Sequence, residues 1–233
     1  MADLMETTMT AWVKKVTATQ TEYLDPYIKK IRFTGDFRKA HFEPGQAIIF
    51  RVSETEHRNY TPCFFDGEQG ICEVLFYLNG IGPGSRYIDA MKPGDTLYMA
   101  LPRGFNLLKK ESKFHFFYGD ETTLGLFYSF KQVLEKRGES YAGIMDLSLA
   151  AEIPESLDLN MKAIRSTLPY GSAAVYYLNT VDASTWNQWA TGTFYLMGNA
   201  KSIQCFRKAL KEKGISGSNI VTQPYWAEGK TGL

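Results

Sequence analysis

Hydrophobic and polar residues follow different patterns in the two parts of the chain. In the first part short β-rich segments recur, and these are WVKKVTAT, YIKKIRFTG, AIIFRVS, ICEVLFYL and TLYMAL. Turn-forming stretches such as FDGEQG and KPGD separate them. Short strands at this spacing predict a small antiparallel β-barrel, which closes off its own edges. One segment, NGIGPGSRYIDAM, interrupts the pattern and predicts a glycine-rich turn that leads into a single short helix.

After residues 109–112 the pattern changes to continuous apolar runs separated by helical segments. Five runs predict strands, and these are FHFFYGD, YAGIMDLS, AAVYYLN, GTFYLMG and NIVTQPYW. Two segments predict helices with one apolar face, TTLGLFYSFKQVLEKRG and SIQCFRKALKEKG. Alternating strands and helices indicate βαβ units and a parallel sheet. We therefore predict two domains, a β-barrel at 1–110 and an α/β domain at 111–233.

The composition is that of an ordinary globular protein. The chain has 233 residues, of which 44% are hydrophobic and 22% are charged. Its formal net charge of +1 argues against a nucleic-acid binder, because such a protein normally has a basic excess. The sequence has no apolar run of about 18 residues, so we expect no membrane span.

The N-terminus and the cysteines predict a cytoplasmic protein. The first residues, MADLMETTMTAW, contain acidic side chains and lack the apolar core of a signal peptide. The three cysteines, Cys63, Cys72 and Cys205, are odd in number and predict reduced thiols. Neither the cysteines nor the three histidines have metal-ligand spacing, so no metal site is expected.

The stretch HRNYTP places a cation, an aromatic ring and a hydroxyl within four consecutive residues. Because side chains alternate along a strand, Arg58 and Tyr60 should face one way and Thr61 the other. Such a stretch is either a solvated sheet edge with a half-buried aromatic residue or one wall of a ligand site. Taken alone, the stretch favours the solvated edge.

The stretch NGIGPGSRYI has the features of a phosphate site. Gly82 and Gly84 let the backbone come close to a ligand, and Ser85 lies at the start of a predicted helix. A helix start offers free N–H groups and the positive end of the helix dipole, which together favour phosphate. The alternative is a tight turn in which the glycines only supply positive φ angles.

Taken in order, these motifs resemble the ferredoxin-reductase superfamily and, within it, the siderophore-interacting family of ferric-siderophore reductases. RNYT resembles the flavin signature arginine–any–tyrosine–serine/threonine, and GPGSRYIDAMKPGDTLYMALPRG resembles the pyrophosphate segment. YGDETTLG and PYWAEG resemble two motifs of the nicotinamide half. The resemblance runs from about Arg58 to Gly229. It implies an FAD-binding antiparallel β-barrel at 1–110, followed by a parallel-sheet, NAD(P)-binding α/β domain at 111–233.

The resemblance also implies roles in FAD binding for particular residues. Arg58 would pair with the FAD pyrophosphate, a contact suited to a planar guanidinium. Tyr60 would lie flat against the isoalloxazine ring. Thr61 would be catalytic, with a hydrogen bond near flavin N5. The phosphates would be bound by Gly82, Gly84 and Ser85, and the ring would be framed by Tyr77 and Asn79.

In the second half, the resemblance places GDETTLG at a strand-to-helix turn near NADPH or NADH. Since acidic side chains would repel phosphates, we expect Thr122 and Thr123 to contact the nucleotide and Asp120 and Glu121 to cap the helix. Trp226, with Tyr225 as the other candidate, would cover the second flavin face and take part in catalysis, although core packing is an equal alternative.

The implied function is an FAD-dependent NAD(P)H oxidoreductase whose small-molecule substrate is a ferric siderophore. Arg103, Lys109 and Lys230 could attract an anionic substrate, although a solvated hinge is the simpler interpretation of the first lysine. A general NAD(P)H:flavin or ferredoxin-type reductase is one alternative. A siderophore- or flavin-binding protein without turnover is another, because Cys63 and Asn79 stand where the family commonly has arginine and histidine. The oligomeric state is left open, with a monomer as one option.

Overall fold

A computed structural model describes residues 13–53, 56–148, 151–165 and 170–230. The segment that carries the signal-peptide prediction, residues 1–12, lies outside these ranges. The chain divides into two compact units, Met1–Leu108 and Lys109–Leu233. The assignment of FAD binding to 1–110 and of NAD(P) binding to 111–233 stays a prediction. No helix within the described ranges combines the length and the apolar character needed to cross a membrane.

The described residues of the first unit form one antiparallel sheet of seven strands and one α-helix, α1. The strands are β1 (Val13–Asp25), β2 (Ile28–Thr34), β3 (Ala47–Arg51), β4 (His57–Tyr60), β5 (Pro62–Asp66), β6 (Ile71–Tyr77) and β7 (Thr96–Arg103). Their order across the sheet is β4-β3-β7-β1-β2-β6-β5. Helix α1 (Pro83–Ala90) connects β6 to β7.

The two edges of this sheet are consecutive in sequence. Strand β4 ends at Tyr60 and β5 begins at Pro62, so only Thr61 separates them. A flat sheet of this size would hold its edges about 29 Å apart, since neighbouring strands are about 4.8 Å apart. Two residues of chain span at most about 7 Å, so the sheet has to roll up. The fold is barrel-like, as predicted, but among the described residues β4 and β5 do not pair.

Aromatic side chains fill the interior of the rolled sheet. The ring of Phe33 lies 5.2 Å from that of Phe50 and 6.4 Å from that of Phe76. All three are fully buried, and each such side chain contributes about 1.5–3 kcal/mol when it leaves water. On the other face of β2, Lys30 and Arg32 form ion pairs with Glu73 at 2.7 Å and 2.5 Å. This alternation of apolar and charged faces explains why β2 could be predicted from its sequence pattern.

In the second unit the described residues form a parallel sheet with four α-helices. Its strands are β8 (His115–Gly119), β9 (Tyr141–Leu147), β10 (Met161–Arg165), β11 (Thr193–Asn199) and β12 (Ile220–Trp226). The helices are α2 (Leu124–Arg137), α3 (Ser172–Thr180), α4 (Ala183–Trp189) and α5 (Ala200–Glu212). The strand order is β10-β9-β8-β11-β12, and every pair is parallel. The predicted βαβ architecture is confirmed.

The direction of winding in this sheet reverses between β8 and β11. From β8 the chain winds outward to β9 and β10, then returns to form β11 on the other side of β8. In open α/β sheets, ligands bind beyond the carboxyl ends of the strands at such a reversal. The residues that follow β8 and β11 therefore have the position of a ligand site.

One predicted strand, AAVYYLN, is wrong, because these residues form helix α3. Its apolar residues are also spaced for a helix, and Ala174 and Leu178, four residues apart, are both fully buried. Gly171 precedes the helix with a positive φ of 77°. The short edge strand β10 has no counterpart among the predicted strands, since it is partly exposed and lacks an apolar run. Strand β5 also escaped prediction, because it follows β4 after a single residue.

Candidate functional site

Strand β4 directs Arg58 and Tyr60 towards the same side. His57 and Asn59 are exposed while Arg58 and Tyr60 are half-buried, as the alternation along a strand predicts. Among the described strands it pairs with β3 alone, which places it at the edge of the sheet. The cation and the phenol therefore lie on the inner side of an edge strand rather than in open solvent.

The ring of Tyr60 packs against the core of the barrel. Its centroid lies 4.7 Å from Phe76 in an edge-on arrangement and 5.5 Å from Phe50. Burial raises the pKa of Tyr60 to about 12, although the nearby Arg58 charge opposes the rise. The phenol is therefore neutral at physiological pH and can donate a hydrogen bond. Whether this ring also lies flat against a flavin stays a prediction.

Helix α1 begins directly against these two side chains. A Cβ atom built on Gly84 would lie 2.7 Å from the Tyr60 hydroxyl and 3.2 Å from Cγ of Arg58. Glycine is needed here because any larger residue would push the helix away from β4. A Cβ on Gly82, in contrast, would meet nothing within 4 Å. The structure thus brings Arg58, Tyr60 and the helix start together, with open space beside Gly82.

The turn before α1 is held by side chains that leave the helix start accessible. The Asn79 side-chain oxygen accepts hydrogen bonds from the N–H groups of Ile81 and Gly82 at 3.0 Å and 3.3 Å. The Ser85 hydroxyl accepts from the N–H of Gly80 at 2.9 Å. Within the described residues no side chain caps the first turn of α1. Uncapped N–H groups beside open space and a guanidinium fit a phosphate group.

The other end of α1 is fixed by Lys29, which the sequence analysis missed. This lysine is only 2% exposed, and its ammonium donates to the carbonyls of Ile88, Asp89 and Met91 at 2.8–3.1 Å. A cation at a helix C-terminus offsets the negative end of the dipole. The sequence held one indication that Lys29 is buried, because this residue lies on the same strand face as the buried Ile31 and Phe33.

In the second unit, Asp120 lies directly after β8, where the winding reverses. One carboxylate oxygen accepts from the N–H of Asn199 at 2.8 Å and from the indole N–H of Trp226 at 2.9 Å. The other accepts from the N–H of Thr122 at 3.0 Å and from the Thr122 hydroxyl. This single carboxylate therefore ties together the carboxyl ends of β8, β11 and β12.

Burial and hydrogen bonding act in opposite directions on Asp120. Loss of hydration raises the pKa of this carboxyl to about 6, and the nearby Glu121 charge adds to the rise. The donors on Thr122, Trp226 and Asn199 favour the charged form and oppose it. Gly198 has a φ of +96°, and a side chain at that position would overlap the carboxylate.

The GDET residues divide differently from the prediction. Asp120 caps the following turn, as expected, but Glu121 does not, because its carboxylate accepts from the N–H of Ser148 at 2.5 Å. The Thr123 hydroxyl is fully buried and donates to the carbonyl of Asp120 at 2.6 Å. Thr122 is half-buried and its hydroxyl donates to Asp120. Nucleotide contact by Thr122 and Thr123 stays a prediction.

Asn199 has a polar atom that the described residues leave unsatisfied. This residue is 3% exposed, and its side-chain oxygen accepts from the N–H groups of Lys201 and Ser202 at the start of α5. Its side-chain nitrogen has no hydrogen-bond partner among the described residues. Trp226, by contrast, is 40% exposed and has its indole N–H fixed by Asp120. A buried free donor and an exposed ring thus lie at the same sheet edge.

Comparisons with known proteins agree with this arrangement. Residues 15–106 match the oxidoreductase FAD-binding domain family. The whole chain is similar to a siderophore utilization protein from T. fusca, with 18% identity, coverage of 95% of both chains and a TM-score of 0.75. It is also similar to the siderophore-interacting protein SipS from Aeromonas hydrophila, with 18% identity, coverage of 94% of this chain and 93% of that one, and a TM-score of 0.73.

A third similar structure is the ferredoxin reductase in carbazole 1,9a-dioxygenase, with 14% identity and a TM-score of 0.74. That match covers 92% of this chain and 69% of the other. The chain has a ferredoxin-reductase-like fold. The match to the oxidoreductase FAD-binding domain family lies within the first unit. No curated protein sequence is significantly similar to the chain.

The remaining predicted residues occupy separate places in the ferredoxin-reductase-like fold. Thr61 and Tyr77 are half-buried, at the seam of the first unit and at the end of β6. In the second unit the Lys109 ammonium donates to the carbonyl of Ser218, before β12, whereas Lys230 follows β12. The structure therefore does not bring these two lysines together. Arg103 is exposed at the end of β7, and its attraction of an anionic substrate stays a prediction.

Metal binding and cysteine chemistry have no structural support in this fold. Within the described ranges, no group of three or more His, Cys, Asp or Glu side chains could hold a metal ion. Cys63 and Cys72 are buried, and burial raises the pKa of the Cys63 thiol to about 12. These two thiols are therefore protonated at neutral pH and are poor nucleophiles.

Proposed function

We propose that this chain is an FAD-dependent NAD(P)H oxidoreductase that reduces ferric siderophores. The observation that carries the proposal is the meeting of Arg58 and Tyr60 with the uncapped start of α1 at Gly84. It lies within the segment that matches the oxidoreductase FAD-binding domain family. A guanidinium, a phenol and free helix N–H groups are the donors that a dinucleotide with a stacked ring requires.

FAD fits this part of the first unit. The open space beside Gly82 and the uncapped first turn of α1 can take a pyrophosphate, with Arg58 as its cationic partner. Ser85 and Asn79 hold the turn in the required shape through their own hydrogen bonds. When bound, FAD would supply the chemistry, because it accepts a hydride and can release electrons singly.

The protein groups around the ring would position it rather than react. Tyr60 would hold the flavin against the barrel, with its own ring fixed by Phe50 and Phe76. Thr61 would place its hydroxyl near flavin N5 and Tyr77 would border the ring, as the resemblance implies. Thr61 joins the two sheet edges, so its position is fixed from both sides.

NADH or NADPH would bind at the carboxyl edge of the second sheet. The side-chain nitrogen of Asn199 is a buried donor available to a ligand there, and α5 directs its N-terminus to the same edge. Thr122 offers a half-buried hydroxyl. Trp226 is exposed enough to pack against an aromatic ring, and Asp120 fixes its orientation.

The proposed acceptor follows from fold similarity and from chemistry. Two of the similar structures are a siderophore utilization protein and a siderophore-interacting protein. Reduction of Fe(III) to Fe(II) makes the ion softer and weakens its bonds to hard oxygen ligands, which releases iron from a siderophore. No iron ligand from the protein is required for this step. Arg103 and Lys230, both exposed, would attract an anionic ferric siderophore.

Steady-state kinetics test the proposal. We expect the FAD-loaded protein to oxidise NADH or NADPH with a ferric siderophore as acceptor, and Fe(II) to appear in a ferrous-specific chelator assay. Turnover with ferricyanide but not with any ferric siderophore would instead favour a general NAD(P)H:flavin or ferredoxin-type reductase. No oxidation of either nucleotide under any condition would exclude an enzyme and favour a binding protein.

Arg58→Ala tests the cofactor site itself. Loss of a charge-assisted contact should weaken FAD binding about tenfold or more, and should weaken FMN binding less. Arg38→Ala is the matched control, because Arg38 pairs with Asp36 on the exposed surface of the same unit. Equal losses for FAD and FMN would argue against a pyrophosphate contact.

A further inference from the structure

The guanidinium assigned to the FAD pyrophosphate already holds an anion of the protein itself. One Arg58 nitrogen donates to the Glu56 carboxylate at 2.8 Å, and the other terminal nitrogen donates to the carbonyl of His57 at 2.9 Å. The two side chains are only 25% and 32% exposed, so the pair is partly shielded from water. This is a stronger pairing than an exposed surface ion pair.

The backbone fixes the position of Glu56. Its carbonyl accepts from the N–H groups of Val52 and Ser53 at 2.9 Å and 3.4 Å, and its own N–H donates to the Ser53 hydroxyl at 3.1 Å. Glu56 therefore belongs to the tight connection between β3 and β4. Two residues before Arg58, it lies on the same half-buried side of the chain.

The stem of Arg58 lies beside the start of α1. Cγ of Arg58 would be 3.2 Å from a Cβ on Gly84, so the arginine stem packs against the first turn of the helix. A phosphate bound between the guanidinium and that turn would also meet the positive end of the helix dipole. The carboxylate bound to Arg58 offers two oxygen acceptors and a negative charge, as a phosphate group does.

We propose that Glu56 competes with the flavin pyrophosphate for Arg58 and thereby sets the affinity for FAD. This inference rests on the proposed function of the same site. Binding of a doubly charged pyrophosphate would either displace the carboxylate from Arg58 or leave two anions on one guanidinium, and both outcomes oppose binding. Glu56 is then a specificity-determining residue, because it opposes flavins whose phosphate reaches Arg58 and does not affect riboflavin, which has no phosphate.

The competition predicts a gain of affinity on removal of the charge. Apoprotein titrated with FAD, FMN and riboflavin, followed by flavin fluorescence, should show that Glu56→Gln lowers the Kd for FAD about fivefold. The effect should be absent for riboflavin, which carries no phosphate, and FMN shows whether a single phosphate is enough to produce it. Glu68→Gln is the control, because Glu68 is an exposed glutamate in the turn between β5 and β6.

Salt and a second substitution separate competition from a structural role. Without the opposing charge, FAD binding to Glu56→Gln should weaken more steeply with rising salt than binding to the wild type. In an Arg58→Ala background, Glu56→Gln should no longer tighten FAD binding, since the contested cation is gone. A structural role of Glu56 would produce neither result.

Each outcome decides between two hypotheses. Weaker FAD binding in Glu56→Gln would mean that the carboxylate orients Arg58 for the cofactor, and unchanged binding would mean that it plays no part; either result overturns the inference. If instead the wild type binds no FAD, or Arg58→Ala binds it equally well, the proposed flavin site itself is wrong. The two failures are therefore distinguishable in one set of titrations.

Discussion

The two candidate sites both have a charged side chain near the end of a strand, but they place it in opposite environments. In the first unit, glycine and open space leave the start of α1 accessible, with the stem of Arg58 packed beside it. In the second unit, Asp120 is buried and the protein itself supplies four donors to its carboxylate. The first arrangement is prepared for an outside anion. The second uses an internal anion to hold three strand ends in place.

This contrast shows that the two acidic and basic motifs have different structural roles. In GDET the aspartate acts as a structural centre that fixes neighbouring groups, such as the indole of Trp226. In HRNYTP the charged residue lies half-buried on the inner side of an edge strand. Substitutions in the two places should therefore fail in different ways, the first in stability and the second in cofactor affinity.

The largest expected effect is the loss of the Asp120 carboxylate. Asp120→Ala would leave the buried N–H of Asn199 and the partly buried donors of Thr122 and Trp226 without their acceptor, and a fully buried donor left in this way costs about 1–3 kcal/mol. We expect a decrease of about 3 kcal/mol or more in the free energy of unfolding, measured with urea. Asp36→Ala, at an exposed aspartate of the first unit, should change it little. Similar effects of the two substitutions would remove the contrast between the sites.

The pH dependence of stability gives the next largest effect. The pKa of Asp120 is about 6 in the folded state, above its value in the unfolded chain, so the folded state binds the additional proton between about pH 4 and 6. The contribution of Asp120 to stability is therefore complete below about pH 4 and decreases, by about 2–3 kcal/mol, as the pH rises to about 6.

Asp120→Asn should remove this change in the free energy of unfolding between about pH 4 and 6, because an amide does not titrate. The measurement is the free energy of unfolding at several pH values between 4 and 7 for both proteins. Parallel profiles would show that another group is responsible and that the buried carboxylate keeps an ordinary pKa.

Substitutions of two glycines in the first unit test the packing of α1 and the space for a ligand separately. In Gly84→Ala the new methyl group would meet the Tyr60 hydroxyl at 2.7 Å, and overpacking of this kind costs about 1–3 kcal/mol. In Gly82→Ala the methyl group meets nothing within 4 Å. We expect Gly84→Ala to lower both stability and FAD affinity, and Gly82→Ala to lower FAD affinity alone. Unfolding curves and FAD titrations check both, and unchanged FAD affinity in Gly82→Ala would place the pyrophosphate elsewhere.

The smallest effect belongs to the indole N–H of Trp226. Trp226→Phe keeps an aromatic ring but removes one of the four donors to Asp120, which should cost about 1 kcal/mol. Since the ring is 40% exposed, little core packing is lost. The check is the same urea titration, and a loss as large as that of Asp120→Ala would mean that Trp226 acts mainly through packing.

Much of the fold could be predicted because its strands carry clear patterns. Strand β8 is fully buried and reads as an apolar run, and helix α2 buries Leu124, Phe127 and Leu134 on one side. The strand prediction for AAVYYLN was wrong because its aromatic and β-branched residues favour a strand locally, whereas packing against α5 stabilises a helix. Strand β10 was not predicted because an edge strand needs no apolar run.

The candidate sites were predictable in their motifs but not in their partners. The positions of Arg58, Tyr60 and Gly84 follow from a local pattern, and the structure brings them together. Lys29 acts on a helix 59 residues away in sequence, and no local pattern indicates that distance. Glu121 was expected to cap its own helix, but β9 offers it the N–H of Ser148 instead. Such contacts depend on which strands become neighbours in the sheet. The hydrophobic periodicity of the sequence does not specify that order.

The seam between β4 and β5 fixes a distance by chain length. Because no ladder joins these two strands among the described residues, the single residue Thr61 determines how far apart the walls on its two sides can stand. One inserted residue would lengthen this connection by about 3.5 Å. Where β4 meets β5, the separation of the two strands is therefore limited by covalent geometry, which persists even where neighbouring hydrogen bonds fluctuate.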